Sequence, residues 1–144
     1  MILVTGGAGY IGSHTVLELL ESDKEVLVLD NFSNASFESL ARVQKITGKE
    51  ITFIEGDIRD RQLLKQIFAD YNISAVIHFA GLKAVPESSE KPLEYYDNNV
   101  NGTLSLCMAM QDAGVFKLVF SSSAWKSAIS VTWSASANIS WICP

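Results

Sequence analysis

A short apolar run over residues 2–4 gives way to Gly6 and then to Gly7-Ala8-Gly9-Tyr10-Ile11-Gly12, a G-x-G-x-x-G spacing. A match of this kind means little by itself, and its surroundings decide. The run before it reads as a strand. From Tyr10 to residue 20 the apolar positions Ile11, Val16, Leu19 and Leu20 fall close to one helical stripe. Strand, glycine turn and helix inside one βαβ unit is the setting in which this spacing holds a dinucleotide. Glycine reaches backbone angles that other residues adopt only at a cost. A missing Cβ lets the chain approach a pyrophosphate, and the helix start offers unpaired N–H groups and the positive end of a dipole. The second half of the pattern is acidic. Asp30 stands 18 positions after Gly12, at the end of the apolar run Val26-Leu27-Val28-Leu29. A carboxylate there accepts hydrogen bonds from ribose hydroxyls and repels a 2′-phosphate. No arginine lies between Asp30 and Arg42 to neutralise one, so the spacing predicts NAD rather than NADP.

The same alternation continues along the chain. Apolar runs at 26–29, 51–54, 75–79 and 118–120 read as further strands. A helix is expected over 37–46, ended by Gly48. Leu63, Leu64, Ile67 and Phe68 form one helix face. A long helix is expected within 93–113, with Gly114 at its C-terminal cap. Strands alternating with helices imply right-handed crossovers and a parallel sheet covered on both faces. The near-continuous apolar character of the strands agrees with that covering. The expected fold is α/β, a Rossmann-type doubly wound parallel sheet. At 144 residues the chain suffices for one domain. A net charge of −5 argues against a general nucleic-acid binder, which needs a basic face. It leaves a single dinucleotide open, because backbone amides can hold the phosphates. No apolar stretch has membrane-spanning length, and the N-terminal run has no basic lead and is broken by Gly6 and Gly7, so no signal peptide is expected. Cys107 and Cys143 form neither a disulfide framework nor a metal spacing. The composition thus suggests a cytoplasmic protein with no metal, no membrane contact and no nucleic-acid partner.

Three further segments carry more specific information: His78-Phe79-Ala80-Gly81-Leu82-Lys83-Ala84-Val85, Tyr95-Tyr96-Asp97-Asn98-Asn99-Val100-Asn101-Gly102-Thr103 and Phe120-Ser121-Ser122-Ser123-Ala124. With the glycine loop they make the chain resemble the extended short-chain dehydrogenase/reductase family, and within it the UDP-glucose 4-epimerases (UDP-galactose 4-epimerases). The resemblance runs from Met1 to about Ala124. It implies an isomerase with bound NAD, a UDP-sugar substrate and a homodimer. By this resemblance Gly6, Gly7, Gly9 and Gly12 form the phosphate loop, with Tyr10 and Ile11 by the pyrophosphate. Asp30, Asn31, Asn34 and Ala35 would hold the adenosine ribose, and Asp57 and Ile58 would flank the adenine. Phe79, Ala80, Gly81 and Lys83 would line the nicotinamide side. Asn98 would lie close to the cofactor. Ser123 would be the catalytic hydroxyl near the sugar O4. Pro86 stands where the family usually has glycine, which would stiffen the loop after Lys83. The implied reaction removes the 4-hydroxyl proton and the C4 hydride, turns the 4-keto sugar over, and returns the hydride to its other face. A tyrosine phenolate is the implied base, its pKa lowered by a lysine four residues on. Another nucleotide-sugar enzyme of the same family, such as a dehydratase, is the nearest rival.

That tyrosine–lysine pair does not occur in these 144 residues. Four positions after Tyr10, Tyr71, Tyr95 and Tyr96 stand His14, Ala75, Asn99 and Val100. Residues 125–144 also change character: they hold all three tryptophans and no Gly, Asp or Glu, and Lys126 is their only charge. Two regions are therefore expected, an NAD-binding domain over 1–124 and a non-family tail over 125–144. The favoured explanation is a truncated, inactive form in which a frameshift replaced the true continuation. The alternatives are a genuine edge strand, since Ile129, Val131 and Trp133 alternate with Ser130, Thr132 and Ser134, and a non-catalytic NAD-binding remnant or interaction module. His14, His78 and Cys107 are expected to be structural, and residues 87–91 a solvated loop.

Overall fold

The computed structural model describes residues 1–121 and the backbone of 128–132. The strands are β1 (Ile2–Thr5), β2 (Val26–Asp30), β3 (Thr52–Glu55), β4 (Ala75–His78), β5 (Lys117–Ser121) and β6 (Ala128–Thr132), in one sheet of order β3-β2-β1-β4-β5-β6. The first five are parallel, and the register sets Val4 beside both Val28 and Ile77. β1 is therefore central, and the strand order reverses on either side of it. β6 runs antiparallel to β5, with Leu118 opposite Val131. The strand-like alternation in the tail is thus realised as an edge strand over those five residues. The rest of the tail lies outside the described residues.

The helices that cover the sheet are α1 (Tyr10–Glu21), α2 (Phe37–Thr47), α3 (Arg61–Asp70), α4 (Val85–Glu90), α5 (Pro92–Tyr96) and α6 (Gly102–Asp112). Local chemistry explains their ends. The Ser36 hydroxyl accepts from the Glu38 N–H at the start of α2, and Gly48 closes it in the left-handed region. Asp60 accepts from the Gln62 and Leu63 N–H groups at the start of α3. Gly114 follows α6 at φ +70°, as its expected capping position requires. One core gathers Leu3, Leu27, Leu29, Leu64, Ile67 and Leu106 between sheet, α3 and α6. The other gathers Val4, Val16, Val28, Leu40 and Val43 between sheet, α1 and α2. Alternate residues of β1 and β2 feed opposite cores, as a sheet covered on both faces demands.

Two sequence expectations are corrected. Residues 87–91 are not a loop: most of them belong to α4, where Pro86 occupies the first turn and its missing N–H costs no helix bond. The helix expected within 93–113 is not uniform either. A π-helical turn, Asp97–Asn101, separates α5 from α6. Such turns are rare and gather at functional sites.

Candidate functional site

At the C-terminal ends of β1, β2 and β4 a cleft of about 450 Å³ opens above the strand-order reversal. Open α/β sheets bind ligands at this position. The glycine loop forms its floor, and the division of labour among the glycines differs from the simple expectation. The left-handed backbone belongs to Gly6, just before the G-x-G-x-x-G, at φ +71°. A Cβ on Gly6 would stand 2.5 Å from the Ala80 nitrogen. Gly12 lies against the Gly6 carbonyl and Gly7 against Val28, so both let α1 and the loop pack on the sheet. Gly7 is the one loop glycine that does not line the cleft. Gly9 faces it, and a Cβ there would meet only the Gly6 carbonyl, at 3.3 Å. Gly9 is also the N-cap of α1, without a side-chain cap. Among the described residues the Tyr10, Ile11 and Gly12 N–H groups have no hydrogen-bond acceptor.

Asp30 is buried beside this floor. Its Oδ2 accepts from the Ala8 N–H at 3.0 Å and its Oδ1 from the Phe32 N–H at 2.9 Å. Each carboxylate oxygen keeps lone-pair capacity toward the cleft. Asn31 caps the next turn, accepting from the Ser33 N–H at 3.1 Å, and donates to Asp57 Oδ2 at 3.1 Å. Asn34 and Ala35 complete this edge of the cleft. Ile58 lines it too, while Asp57 stands outside the lining. The Asp57 carboxylate receives Arg59 Nε at 2.9 Å and another guanidinium nitrogen at 2.7 Å, and Arg59 also reaches Asp97 at 2.9 Å. The guanidinium holds the Asp57 carboxyl down at about 2.

The opposite wall comes from the segment after β4. Phe79, Ala80, Gly81 and Lys83 line the cleft, as does Asn98 from the π-helical turn. The Thr5 carbonyl accepts from both the Phe79 and Ala80 N–H groups, at 2.8 and 3.1 Å. His78 is buried, with Nδ1 at 2.6 Å from the Thr5 hydroxyl and Nε2 at 3.0 Å from that of Thr103. Burial, with a smaller effect from the Lys83 charge, pushes its pKa down to about 4. The ring is neutral at pH 7 and structural, as its strand position suggested.

Sequence reasoning thus located most of the lining and missed part of it. Leu82, Glu87 and Tyr95 also line the cleft, and Asn99 fixes Leu82. Asn99 stands inside the quoted Asn98-Asn99 segment, but only its hydrogen bonds show that the two asparagines serve neighbouring parts of one wall. Ser123 lies outside the described residues. The described residues contain no cluster of three metal-ligating side chains and no helix long and apolar enough to cross a membrane.

A glycine-floored cleft at the strand-order reversal, with a carboxylate ending β2, defines a nucleotide-binding domain of the Rossmann class. Comparison with known proteins narrows this. Residues 2–128 match the NAD dependent epimerase/dehydratase family, and the chain belongs to that family. It is 68% identical over 123 residues to a UDP-glucose 4-epimerase of Haemophilus influenzae and 64% identical over 123 residues to one of Erwinia amylovora. Each alignment takes in 85% of this chain but only 36% of the relative, so the chain spans about a third of the length of the curated relatives it matches. Among solved structures, the UDP-glucose 4-epimerase of Bifidobacterium longum in complex with NAD⁺ and UDP is 53% identical with a TM-score of 0.83. That of Stenotrophomonas maltophila, with bound NAD and formylated UDP-arabinopyranose, is 48% identical with a TM-score of 0.83. Both comparisons cover 85% of this chain and 37% of the other.

Proposed function

We propose that this chain is the NAD-binding part of a UDP-glucose 4-epimerase, which interconverts UDP-galactose and UDP-glucose through a 4-keto sugar. The observation that carries the reading is the pairing of Asp30 with the open start of α1. One oxygen of the carboxylate is tied to the Ala8 N–H of the glycine loop, so ribose and phosphate sites are built as one unit. The residues present fit the cofactor. Gly9 leaves room at the floor, and the Tyr10, Ile11 and Gly12 N–H groups with the α1 dipole suit a pyrophosphate. Asp30 and Asn31 would hold the adenosine ribose, with Asn34 and Ala35 beside it and Ile58 under the adenine. Asp57 acts on that end by holding Asn31. Phe79, Ala80, Gly81, Lys83 and Asn98 would hold the nicotinamide half. The chemistry that NAD supplies when bound is reversible uptake of the sugar C4 hydride. The chain's own work is to bind, orient and exclude water, and Ser123 is the proposed hydroxyl near the sugar O4.

Isothermal titration with NAD and NADP tests the binding. Micromolar affinity for NAD with at least about tenfold preference over NADP is expected, because Asp30 repels a 2′-phosphate. Asp30→Asn should weaken NAD binding and narrow that preference. A folded chain with no affinity for NAD defeats the proposal. The 144-residue polypeptide is expected to bind NAD without epimerising UDP-galactose, since none of its tyrosines has a lysine four positions on. Measurable turnover by it would refute that part alone.

The reading extends to a homodimer. Leu93, Tyr96, Val100, Leu104 and Met108 are exposed at spacings of three or four along α5, the π turn and α6. Pro92 to Asp112 is roughly 30 Å of helix at 1.5 Å per residue, long enough to pair with the same stripe of a second copy. Sedimentation equilibrium decides it: a monomer at all concentrations rules the dimer out.

A further inference from the structure

A run of hydrogen bonds crosses the molecule beneath the β4 wall of the cleft. It begins at Thr5, the last residue of β1 and fully buried. It passes through His78, the last residue of β4, to Thr103 in the first turn of α6. The Thr103 hydroxyl donates to the Asn99 carbonyl at 2.6 Å. That uses its only proton, so its oxygen must accept from His78 Nε2–H, and Nδ1 must accept from the Thr5 hydroxyl. The neutral ring, with one donor and one acceptor, completes both bonds without a leftover group. Past Thr103 the Asn99 side chain grips the backbone of Leu82 on both sides of its Cα, through two successive peptide groups. Its Oδ1 accepts from the Leu82 N–H at 2.8 Å, and its Nδ2 donates to the Leu82 carbonyl at 2.9 Å. Asn98, which lines the cleft, donates to the same Oδ1 at 3.0 Å. Gly81 fits beneath, where a Cβ would come 3.4 Å from Asn99 Oδ1.

An isolated asparagine on a helix surface would exchange such bonds for water at little cost. Here the carbonyl of the same residue is tied to Thr103, and Thr103 to a histidine lodged between two strands. Asn98 and Asn99 both belong to the π turn, and the Asn98–Asn99 side-chain bond ties the residue that lines the cleft to the one that holds Leu82. On the reading of the cleft as an NAD site, the pyrophosphate lies over α1, Asp30 takes the adenosine half, and the β4 side is left for the nicotinamide half.

We propose that Asn99 is the positioning residue of the nicotinamide-side wall: its carboxamide holds both the N–H and the carbonyl of Leu82, the Thr5–His78–Thr103 chain holds Asn99, and Gly81 to Lys83 are thereby set in place before the cofactor arrives. A wall held this way gives up no loop entropy on binding. The clamp serves one half of the dinucleotide and leaves the adenosine half alone, and that separates it from a residue that merely supports the fold.

Titration with NAD and with ADP, on wild type and on Asn99→Ala, Thr103→Val and Thr103→Ser, makes the test. Asn99→Ala and Thr103→Val should weaken NAD about tenfold and leave ADP within about twofold, while Thr103→Ser, which keeps the hydroxyl, stays near wild type. Equal losses for both ligands, or none for NAD, overturn the proposal. Amide exchange on the unliganded wild type reads the clamp even where a variant fails to fold. The Leu82 N–H should be protected, and exchange at the rate of an unbonded loop amide overturns the proposal as well. A folded wild type that binds neither NAD nor ADP defeats the NAD reading, and with it the assignment of this wall to nicotinamide. A wild type that binds both while the variants lose nothing leaves that reading standing and defeats only the role of Asn99.

Discussion

The two walls of the cleft are held by opposite kinds of interaction. On the β2–β3 side the side-chain links are charged and partly solvated: Arg59 bridges Asp57 and Asp97, with Arg59 at 37% and Asp97 at 50% side-chain exposure. On the β4 side the run through Thr5, His78 and Thr103 is neutral, and its centre is buried, with His78 and Thr5 at 1% and 0%. Water can replace part of the first set. It cannot reach the centre of the second, where a group left without its partner bears the full desolvation penalty. The β4 wall should therefore tolerate change badly, and the charged wall should adapt.

Acid makes the widest separation. The folded-state pKa of His78 is depressed to about 4, below its usual 6.5, so the unfolded chain binds more protons between those values. Stability contributed there is present above pH 6.5 and is lost as pH falls toward 4, by about 3 kcal/mol. Urea unfolding across that range checks it, and His78→Gln should flatten the dependence. Flat behaviour in wild type would show that the ring titrates normally. Asp57 behaves differently: its carboxyl, held at about 2, stays ionised over the whole of that range and keeps its contribution.

Next in size is Thr5→Val. It keeps the shape of the side chain and strips His78 Nδ1 of its donor, for a loss of about 2 kcal/mol by thermal melting. Asp60→Ala, on the charged side, removes the cap of α3 and should cost about 1 kcal/mol. Arg59→Gln should cost no more than about 0.5 kcal/mol, and less still in high salt. If Arg59→Gln proved as damaging as Thr5→Val, the contrast between the walls would be wrong.

Much of this was legible in the chain. The periods of the apolar residues marked all five parallel strands, and Gly48 and Gly114 marked two helix ends. The glycine loop and Asp30 announced themselves by spacing, because the turn after β1 and the end of β2 are each set by residues close together in the chain. Other features were hidden. Nothing in Glu87-Ser88-Ser89-Glu90 separates a solvated loop from the exposed face of a short helix. What decides is a partner, the Tyr95 hydroxyl, which lies within hydrogen-bond distance of both the Ala84 carbonyl and Glu87. Gly6 was expected within the phosphate loop, but only the fold shows that it carries the left-handed turn and that Ala80, two residues past β4, leaves no room for a Cβ there.

Sequence by itself determined the alternating strands and helices, the dinucleotide spacing and the acidic residue at the end of β2. Each depends on residues close together in the chain, so each leaves a local pattern. The tertiary structure alone decided that Asp30 would be tied to Ala8, that His78 would join β1 to α6 through Thr5 and Thr103, and that Asn99 would grip Leu82. Those partners stand 17 to 73 positions apart. Hydrogen bonds of that span have no signature until the sheet brings their two ends within 3 Å.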